Sequence, residues 1–188
     1  LQILSVGRNH WIKDFRTAIL AMSLIKEKKI PFHYTIIGVH KSEELLFLVN
    51  DLNLNDSVTF LDSVSQDKVY EKILFSDLFL LSSIQEGIAN VCVEAMLSKL
   101  PVISTDYPGV SELISDDKTG FLVPIRSPKA IADKVELFSK IEEKDIKKIV
   151  NSAYEKASSQ HKNEQMLDSM TSLYKKVLLK PDTLHFSK

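Results

Sequence analysis

The sequence predicts an α/β fold, namely a Rossmann-like, mostly parallel sheet of about six strands with helices on both faces, followed by C-terminal helices. Three observations predict it. Short apolar segments alternate with segments of helical periodicity along most of the chain. Each short segment is apolar on both faces and bounded by turn residues, as buried parallel strands are. Repeated strand, helix and strand units place helices on both faces of one sheet.

The predicted elements follow one another closely. Buried strands are predicted at residues 3–6, 34–37, 58–61, 78–81, 102–104 and 121–123. Between them, apolar residues recur at helical spacing within 15–25, 45–49, 69–74 and 91–97. A short helix is expected after the turn at Pro108 and Gly109. Pro128 suits the first turn of a helix that begins after Ser127.

The C-terminal part differs, because no strand is predicted after Pro128. Helices are expected around 131–138, 146–153 and 166–177. The best internal boundary lies near 158–161, so we predict a Rossmann-like domain over residues 1–160 and a C-terminal helix over 161–188. A chain of 188 residues, 44% hydrophobic and 26% charged, fits one globular domain with an appendage.

Composition excludes several classes of protein. The formal net charge is −1, so no basic surplus argues for nucleic acid as a partner. The single cysteine, Cys92, excludes an internal disulfide and suits a reducing compartment, and within an apolar helix it is a core residue rather than a nucleophile. No apolar run reaches the ~18 residues of a membrane span. We expect a cytoplasmic protein without a signal peptide, and a preceding segment in the natural protein, because the chain opens on a strand rather than on Met.

Two carboxylates, Glu86 and Glu94, stand eight residues apart around Gly87, between an apolar strand and an apolar helix. This spacing places Glu86 at the carboxyl end of a strand and Glu94 about two turns into the next helix. Ligands of open α/β sheets bind at that edge, and helix N-termini favour anions. A sugar nucleotide fits, because it carries both hydroxyls and a diphosphate. The alternatives are a solvated loop residue at Glu86 and a surface position for Glu94, although Val93 and Ala95 argue that Glu94 is partly buried.

Cationic side chains follow the first strand, which Gly7 ends. Arg8 and Lys13 lie five residues apart around the start of the next helix, where a guanidinium and an ammonium could hold a diphosphate. The alternative is a pair of solvated surface cations. Gly38 ends the second strand, where it either lets a ligand approach or forms a simple turn, and His40 could touch a base. The sequence contains no Gly-x-Gly-x-x-Gly fingerprint, no P-loop and no cluster with metal-ligand spacing.

In this order, the motifs resemble the C-terminal, donor-binding domain of the group 1 (family 4) retaining glycosyltransferases, which is one half of a GT-B fold. The resemblance spans nearly the whole chain, over residues 3–8, Lys13 with Phe15, 34–38, 58–61, 76–83, 86–94, 100–106 and 118–124. It implies that the full-length enzyme transfers a hexose from a UDP- or GDP-sugar to a saccharide or lipid-linked acceptor. It also implies retention of the anomeric configuration and no metal or other cofactor.

The resemblance further implies an N-terminal acceptor domain that this chain lacks. The chain alone would then bind nucleotide weakly and catalyse little. The full-length protein would be cytoplasmic or peripheral to the inner face of the membrane. The segment with Glu164, Leu173 and Tyr174 resembles the helix that crosses back to the acceptor domain.

Individual roles also follow from the resemblance. Arg8, Lys13 and Glu86 match residues expected to act in catalysis, the first two on the diphosphate and the third on the donor sugar's hydroxyls. Glu94 matches the carboxylate that holds the ribose. The other donor-binding positions are Gly7, Gly38, Val64, Gly87, Ile88, Ala89, Asn90 and Val91. Among them, Gly38 and Val64 resemble the edge that binds the base, and the turn from Gly87 approaches the sugar and phosphate.

The chain departs from the family's usual pattern at three places. Asp14 and Asp62 each stand where a glycine is usual, and Ile88 with Ala89 replaces the usual Phe-Gly. An acid beside Lys13 would weaken phosphate binding or change its geometry. Asp14 and Asp62 keep open a non-catalytic nucleotide-sugar-binding module. A sugar-nucleotide epimerase of the GT-B type is the second alternative, although the spacing of the two glutamates and the Arg8 and Lys13 pair favour a transferase.

Overall fold

The computed structural model describes residues 1–40, 42–87 and 89–160, together with 171, 172 and 175. These residues form six strands: β1 Gln2–Val6, β2 His33–Ile37, β3 Val58–Leu61, β4 Leu78–Leu81, β5 Val102–Thr105 and β6 Phe121–Val123. They also form the helices α1 Phe15–Glu27, α2 Glu43–Asp51, α3 Gln66–Leu74, α4 Asn90–Leu97, α5 Val110–Leu113, α6 Pro128–Phe138 and α7 Glu143–Gln160. A short 3-10 helix, Trp11–Lys13, precedes α1.

The strands form one sheet in the order β3-β2-β1-β4-β5-β6, and neighbouring strands run parallel. Val6 of β1 lies beside Ile37 of β2, and Leu4 of β1 lies beside Phe79 of β4. The order reverses between β1 and β4, so the loops that follow these two strands diverge and leave a crevice at the carboxyl edge. The predicted fold class is confirmed.

Apolar side chains pack on both faces of the sheet, because successive strand residues point to opposite sides. Ile3, Leu78 and Leu80 belong to the cluster beneath α1, α2 and α6. Leu4 and Phe79 belong to the cluster beneath α3, α4, α5 and α7. Strands covered on both faces are therefore largely apolar, as β4 is at all four positions, which is why short apolar segments predicted them.

Most element boundaries agree with the prediction. β1 and β2 begin one residue earlier than predicted, and β5 ends one residue later. Ser127 caps α6 by accepting from the amide of Ala130, and Pro128 occupies the first turn, as predicted. Helix α7 continues through residues 158 and 159 to Gln160, so these two serines do not interrupt the helix. Among the described helices, none combines the length and the apolar character that a membrane span requires.

The predicted division between residues 1–160 and 161–188 stays a prediction. The predicted crossover segment with Glu164, Leu173 and Tyr174 lies outside the described residues.

Candidate functional site

The loops after β1 and β4 are joined directly across the crevice. The backbone amide of Ile84 donates to the carbonyl of Ile12 over 2.8 Å. The Ser82 hydroxyl donates to the carbonyl of Lys13 over 2.7 Å. These bonds hold the 3-10 helix against the segment that leads into Glu86, so the two motifs predicted from sequence belong to one site.

Lys13 and Glu86 meet within this site. The Lys13 Nζ lies 2.5 Å from Glu86 Oε1, and the side chains are only 19% and 13% exposed. Ser83 donates to the same carboxylate oxygen over 2.6 Å. The aliphatic part of Lys13 passes directly over Gly7, where a Cβ would come 2.9 Å from the Lys13 Cε. Since both contacts fall on Oε1, Oε2 is the oxygen that a ligand hydroxyl could meet. Lys13 and Glu86 are therefore not solvated surface charges.

Two helices begin at this edge, and their N-termini differ. Asp14 occupies the N-cap of α1, where its carboxylate accepts from the amide of Thr17 over 3.3 Å. Helix α4 begins after Ala89, and no side-chain hydrogen bond caps it within the described residues. A carboxylate already neutralises part of the positive end of α1, so the N-terminus of α4 is the better position for an anion.

The backbone conformation at position 14 explains why aspartate is tolerated where a glycine is usual. Its φ of 46° lies in the left-handed region, which glycine adopts easily and aspartate tolerates better than most residues. The carboxylate points to the amides of α1 and makes no ion pair with the neighbouring Lys13 within the described residues. Lys13 pairs with Glu86 instead, and the expectation that Asp14 weakens phosphate binding stays a prediction.

Glu94 is a buried carboxylate on α4, the helix that follows β4. Helix α4 begins only at Asn90, so Glu94 lies in its second turn rather than two turns in as the sequence predicted. The residue is 8% exposed, which confirms the prediction that it is at least partly buried. The Gln66 amide donates to Glu94 Oε1 over 2.9 Å. Burial raises the pKa of Glu94, and the bond from Gln66 opposes that rise.

Within the described part of the chain, the Glu94 carboxylate accepts one hydrogen bond, from the Gln66 amide. One neutral amide compensates a buried carboxylate poorly, and hydroxyl groups of a ligand could supply further hydrogen bonds. Gln66 also contacts the Tyr70 hydroxyl over 2.9 Å. Burial, and next the charge of Glu94, raises the pKa of Tyr70. Sequence reasoning did not identify Gln66. The sequence feature that could have identified Gln66 is its position as a polar residue at the start of α3, at the carboxyl edge of the sheet.

Gly38, directly after β2, packs against the backbone of the turn at Gly7. Its φ is 94°, and a Cβ there would lie 2.6 Å from the carbonyl oxygen of Gly7. The amide of Gly7 in turn donates to the carbonyl of Ile37 over 2.9 Å. The local structure therefore requires a glycine at position 38 without any ligand, in agreement with the simple-turn alternative.

The predicted base-binding edge holds a second pair of polar side chains. His40 follows β2 and Asp62 follows β3, and the His40 Nδ1 lies 2.7 Å from Asp62 Oδ1. Both side chains are 64% exposed. Val64 is partly buried and packs on the apolar cluster beneath α3 and α4, so its side chain supports the loop.

The remaining predicted residues lie around the α4 N-terminus and the β1 loop. Arg8 is exposed, so a surface cation stays a valid alternative for it. Gly87 is exposed with open space around its α-carbon. Ala89 is buried and Val91 half-buried, and Asn90 is exposed at the first turn of α4. Ile88 lies outside the described residues.

An aromatic residue that sequence reasoning did not assign lies on the rim of the crevice. Trp11 is 67% exposed, and its ring lies 5.7 Å from that of His10. Its backbone carbonyl accepts from the amide of Asp14 over 3.2 Å. A large exposed side chain thus sits on a loop whose backbone is fixed.

Two further observations limit the chemistry of the site. Cys92 is fully buried in α4, and burial raises its pKa to about 12, which confirms that it is a core residue rather than a nucleophile. No group of three or more His, Cys, Asp or Glu side chains within the described residues has a geometry that could hold a metal ion. The groups described at the crevice are cations, carboxylates, backbone amides and the neutral polar side chains of Gln66, Ser82 and Ser83.

The sequence and the fold are similar to those of known proteins. The family model for glycosyl transferases group 1 matches residues 1–156. WcaL of Escherichia coli (strain K12), named for colanic acid biosynthesis, is 32% identical in an alignment of 175 residues that covers 89% of this chain and 43% of WcaL. A TarM variant from S. aureus, solved with fondaparinux, α-GlcNAc-glycerol and UDP, has a TM-score of 0.79 at 22% identity, over 92% of this chain and 35% of TarM.

A third likeness concerns a single domain. The C-terminal domain of the group 1 glycosyl transferase LpcC from Francisella tularensis has a TM-score of 0.72 at 26% identity, over 84% of each chain. The chain thus matches a separately solved C-terminal domain over most of its length but spans less than half of WcaL or TarM. The chain belongs to the glycosyl transferases group 1 family, and it has the fold of one half of a GT-B glycosyltransferase.

Proposed function

We propose that this chain is the donor-binding half of a glycosyltransferase that transfers a hexose from a nucleoside diphosphate sugar to a saccharide or lipid-linked acceptor. One observation carries the proposal. Glu86, paired with Lys13, lies in the loop that leads into α4, and the buried Glu94 lies in the second turn of that helix, beside the reversal point of the sheet. Charged groups of these types match, in one place, the hydroxyls and the diphosphate of a sugar nucleotide.

The diphosphate is assigned to the N-terminus of α4. Backbone amides there point toward the crevice, and no side chain within the described residues caps them. Lys13 supplies a positive charge close by, and the exposed Arg8 on the same loop can reach in from the rim. During transfer, negative charge develops on the leaving nucleoside diphosphate. Fixed amides and cations stabilise that charge without needing a metal ion.

Glu94 and Glu86 then bind different hydroxyl groups of the donor. Glu94, held by Gln66 on the β3 side of the crevice, accepts from the ribose. Glu86 has Oε1 engaged with Lys13 and Ser83, so Oε2 accepts from the donor sugar. No residue is assigned as a general base, because a leaving group that assists its own departure needs none in a transfer with retention. The acceptor would contact mainly a domain outside this chain, so we expect the chain alone to bind nucleotide and to catalyse little.

Relatives support the sugar-nucleotide assignment. WcaL and LpcC carry glycosyltransferase names or titles, and the TarM structure contains UDP. The family match favours transfer over epimerisation. The position of Asp14 as a helix cap gives this departure from glycine a structural role.

Calorimetric titration of the chain with UDP, GDP and ADP, each with Mg²⁺ and with EDTA, tests the proposal. We expect at least one nucleotide to bind with the same affinity in both conditions. Glu94→Ala should abolish that binding. Glu27→Ala is the matched control, because Glu27 is exposed at the C-terminal end of α1, at the opposite edge of the sheet.

Undiminished binding by Glu94→Ala would overturn the ribose assignment, and absence of any nucleotide binding would overturn the donor site in this chain. Catalysis is tested on the longer natural protein. Product analysis by NMR should show a glycoside with the donor's anomeric configuration, and an inverted product or a free epimerised sugar nucleotide would contradict the proposed reaction.

A further inference from the structure

His40 and Asp62 form an exposed pair in the loops that follow β2 and β3. Asp62 follows β3 and is four residues from Gln66, the residue that donates to Glu94. His40 follows β2, the neighbouring strand. Gln66 opens α3, the helix after β3, and reaches Glu94, so a ribose on Glu94 would lie beside the loop that carries Asp62. This inference rests on the proposed donor site.

The geometry of the pair leaves a carboxylate available. Only Oδ1 of Asp62 contacts His40, at 2.7 Å, and both side chains are 64% exposed. The histidine therefore orients the carboxylate without covering it. An exposed carboxylate held in one orientation presents two acceptor oxygens side by side.

The chemistry of the bases then decides between ligands. The Watson–Crick edge of guanine presents two adjacent donors, the N1–H and the 2-amino group. Uracil presents a single N–H between two carbonyl oxygens, which a carboxylate repels. The corresponding edges of adenine and cytosine each present one amino donor beside a ring nitrogen that is an acceptor. Guanine alone among these bases can donate two parallel hydrogen bonds to one carboxylate.

We propose that Asp62 selects a guanine nucleotide by accepting hydrogen bonds from N1–H and the 2-amino group, and that His40 positions its carboxylate. Asp62 is thus a specificity-determining residue, and the donor is a GDP-sugar. Charge-assisted hydrogen bonds at an exposed site give a preference of about tenfold in Kd for GDP over UDP. Inosine diphosphate, which lacks the 2-amino group, should fall between the two.

Calorimetry of the chain with GDP, inosine diphosphate and UDP tests this. Asp62→Asn keeps the shape but replaces one acceptor by a donor, so the Kd for GDP should rise about tenfold while the Kd for UDP does not rise. Asp56→Asn is the matched control, since Asp56 is exposed before β3, at the opposite edge of the sheet. His40→Ala should lower the GDP-to-UDP preference without changing the Kd for UDP, a pattern that general loosening of the loop would not produce.

The outcomes separate the inference from the proposed function. Equal binding of GDP and UDP, or an unchanged GDP preference in Asp62→Asn, would overturn guanine selection and leave the donor site intact. Binding of UDP more tightly than GDP would do the same. No binding of any nucleotide would overturn the donor site itself, and guanine selection with it.

Discussion

Replacing Gly38 by alanine should destabilise the fold by two separate effects. The residue has a φ of 94°, which costs an L-residue about 1–2 kcal/mol. The new Cβ would also lie 2.6 Å from the carbonyl oxygen of Gly7, well inside contact distance. That oxygen belongs to a backbone fixed by the hydrogen bond from Gly7 to Ile37, so it cannot move away freely.

The magnitude follows from these terms. Crowding a packed position costs about 1–3 kcal/mol, and the lower entropy of an unfolded alanine returns about 0.4–1 kcal/mol. We expect a net loss of about 2–4 kcal/mol in the free energy of unfolding. For a chain of this size each kcal/mol lowers Tm by about 2–4 °C. Urea unfolding followed by circular dichroism measures the loss as a lower midpoint at an unchanged m-value.

Two other glycines provide matched controls. Gly109 has the same φ of 94°, but a Cβ added there would meet nothing within 4 Å, so Gly109→Ala isolates the conformational cost, about 1 kcal/mol or less. Gly87 has open space and no left-handed φ, so Gly87→Ala should change stability by no more than about 0.5 kcal/mol. A loss in Gly38→Ala no larger than that in Gly109→Ala would refute the assigned contact with the Gly7 carbonyl.

Three further predictions concern the site. Burial raises the pKa of Glu94 above 4.5, so the folded chain loses stability as the pH rises and this carboxyl group ionises. Glu94→Gln should therefore raise Tm at pH 7, and the gain should vanish below pH 4.5. An equal gain in Tm at both pH values would contradict this. A double-mutant cycle of Lys13→Met and Glu86→Gln should give a coupling of about 1–2 kcal/mol in urea unfolding, whereas additivity would show that the pair does not form in solution. Cys92 should react slowly with a disulfide reagent in the native chain and rapidly in urea, and fast native labelling would contradict its burial.

Sequence reasoning identified the strands because their environment leaves a simple pattern. A strand covered on both faces, such as β4, must be apolar at every position, and the sequence shows this without reference to any partner. The same reasoning placed Glu86 and Lys13 at one edge of the sheet. Their contact depends on β1 and β4 being neighbours, which is a property of the strand order and joins residues 73 positions apart.

Other features depended on backbone details that the sequence does not display. From the sequence, Asp14 is only an aspartate at a position where glycine is usual. Its left-handed φ and its capping contact with α1 are properties of the folded backbone. Glu94 lies nearer the start of its helix than expected because α4 begins at Asn90 rather than directly after Gly87. Gln66 was missed because its partner lies on another helix, 28 residues away.

Trp11 gives the molecule an optical property of its own. It is the single tryptophan of the 188 residues, and it lies on the rim of the crevice rather than in either apolar cluster. Indole emission from the native chain should accordingly resemble that of indole in water, and unfolding of the core should change it little. The same emission should respond to anything that settles against the loop beside Lys13, so fluorescence and circular dichroism would follow different regions of this chain.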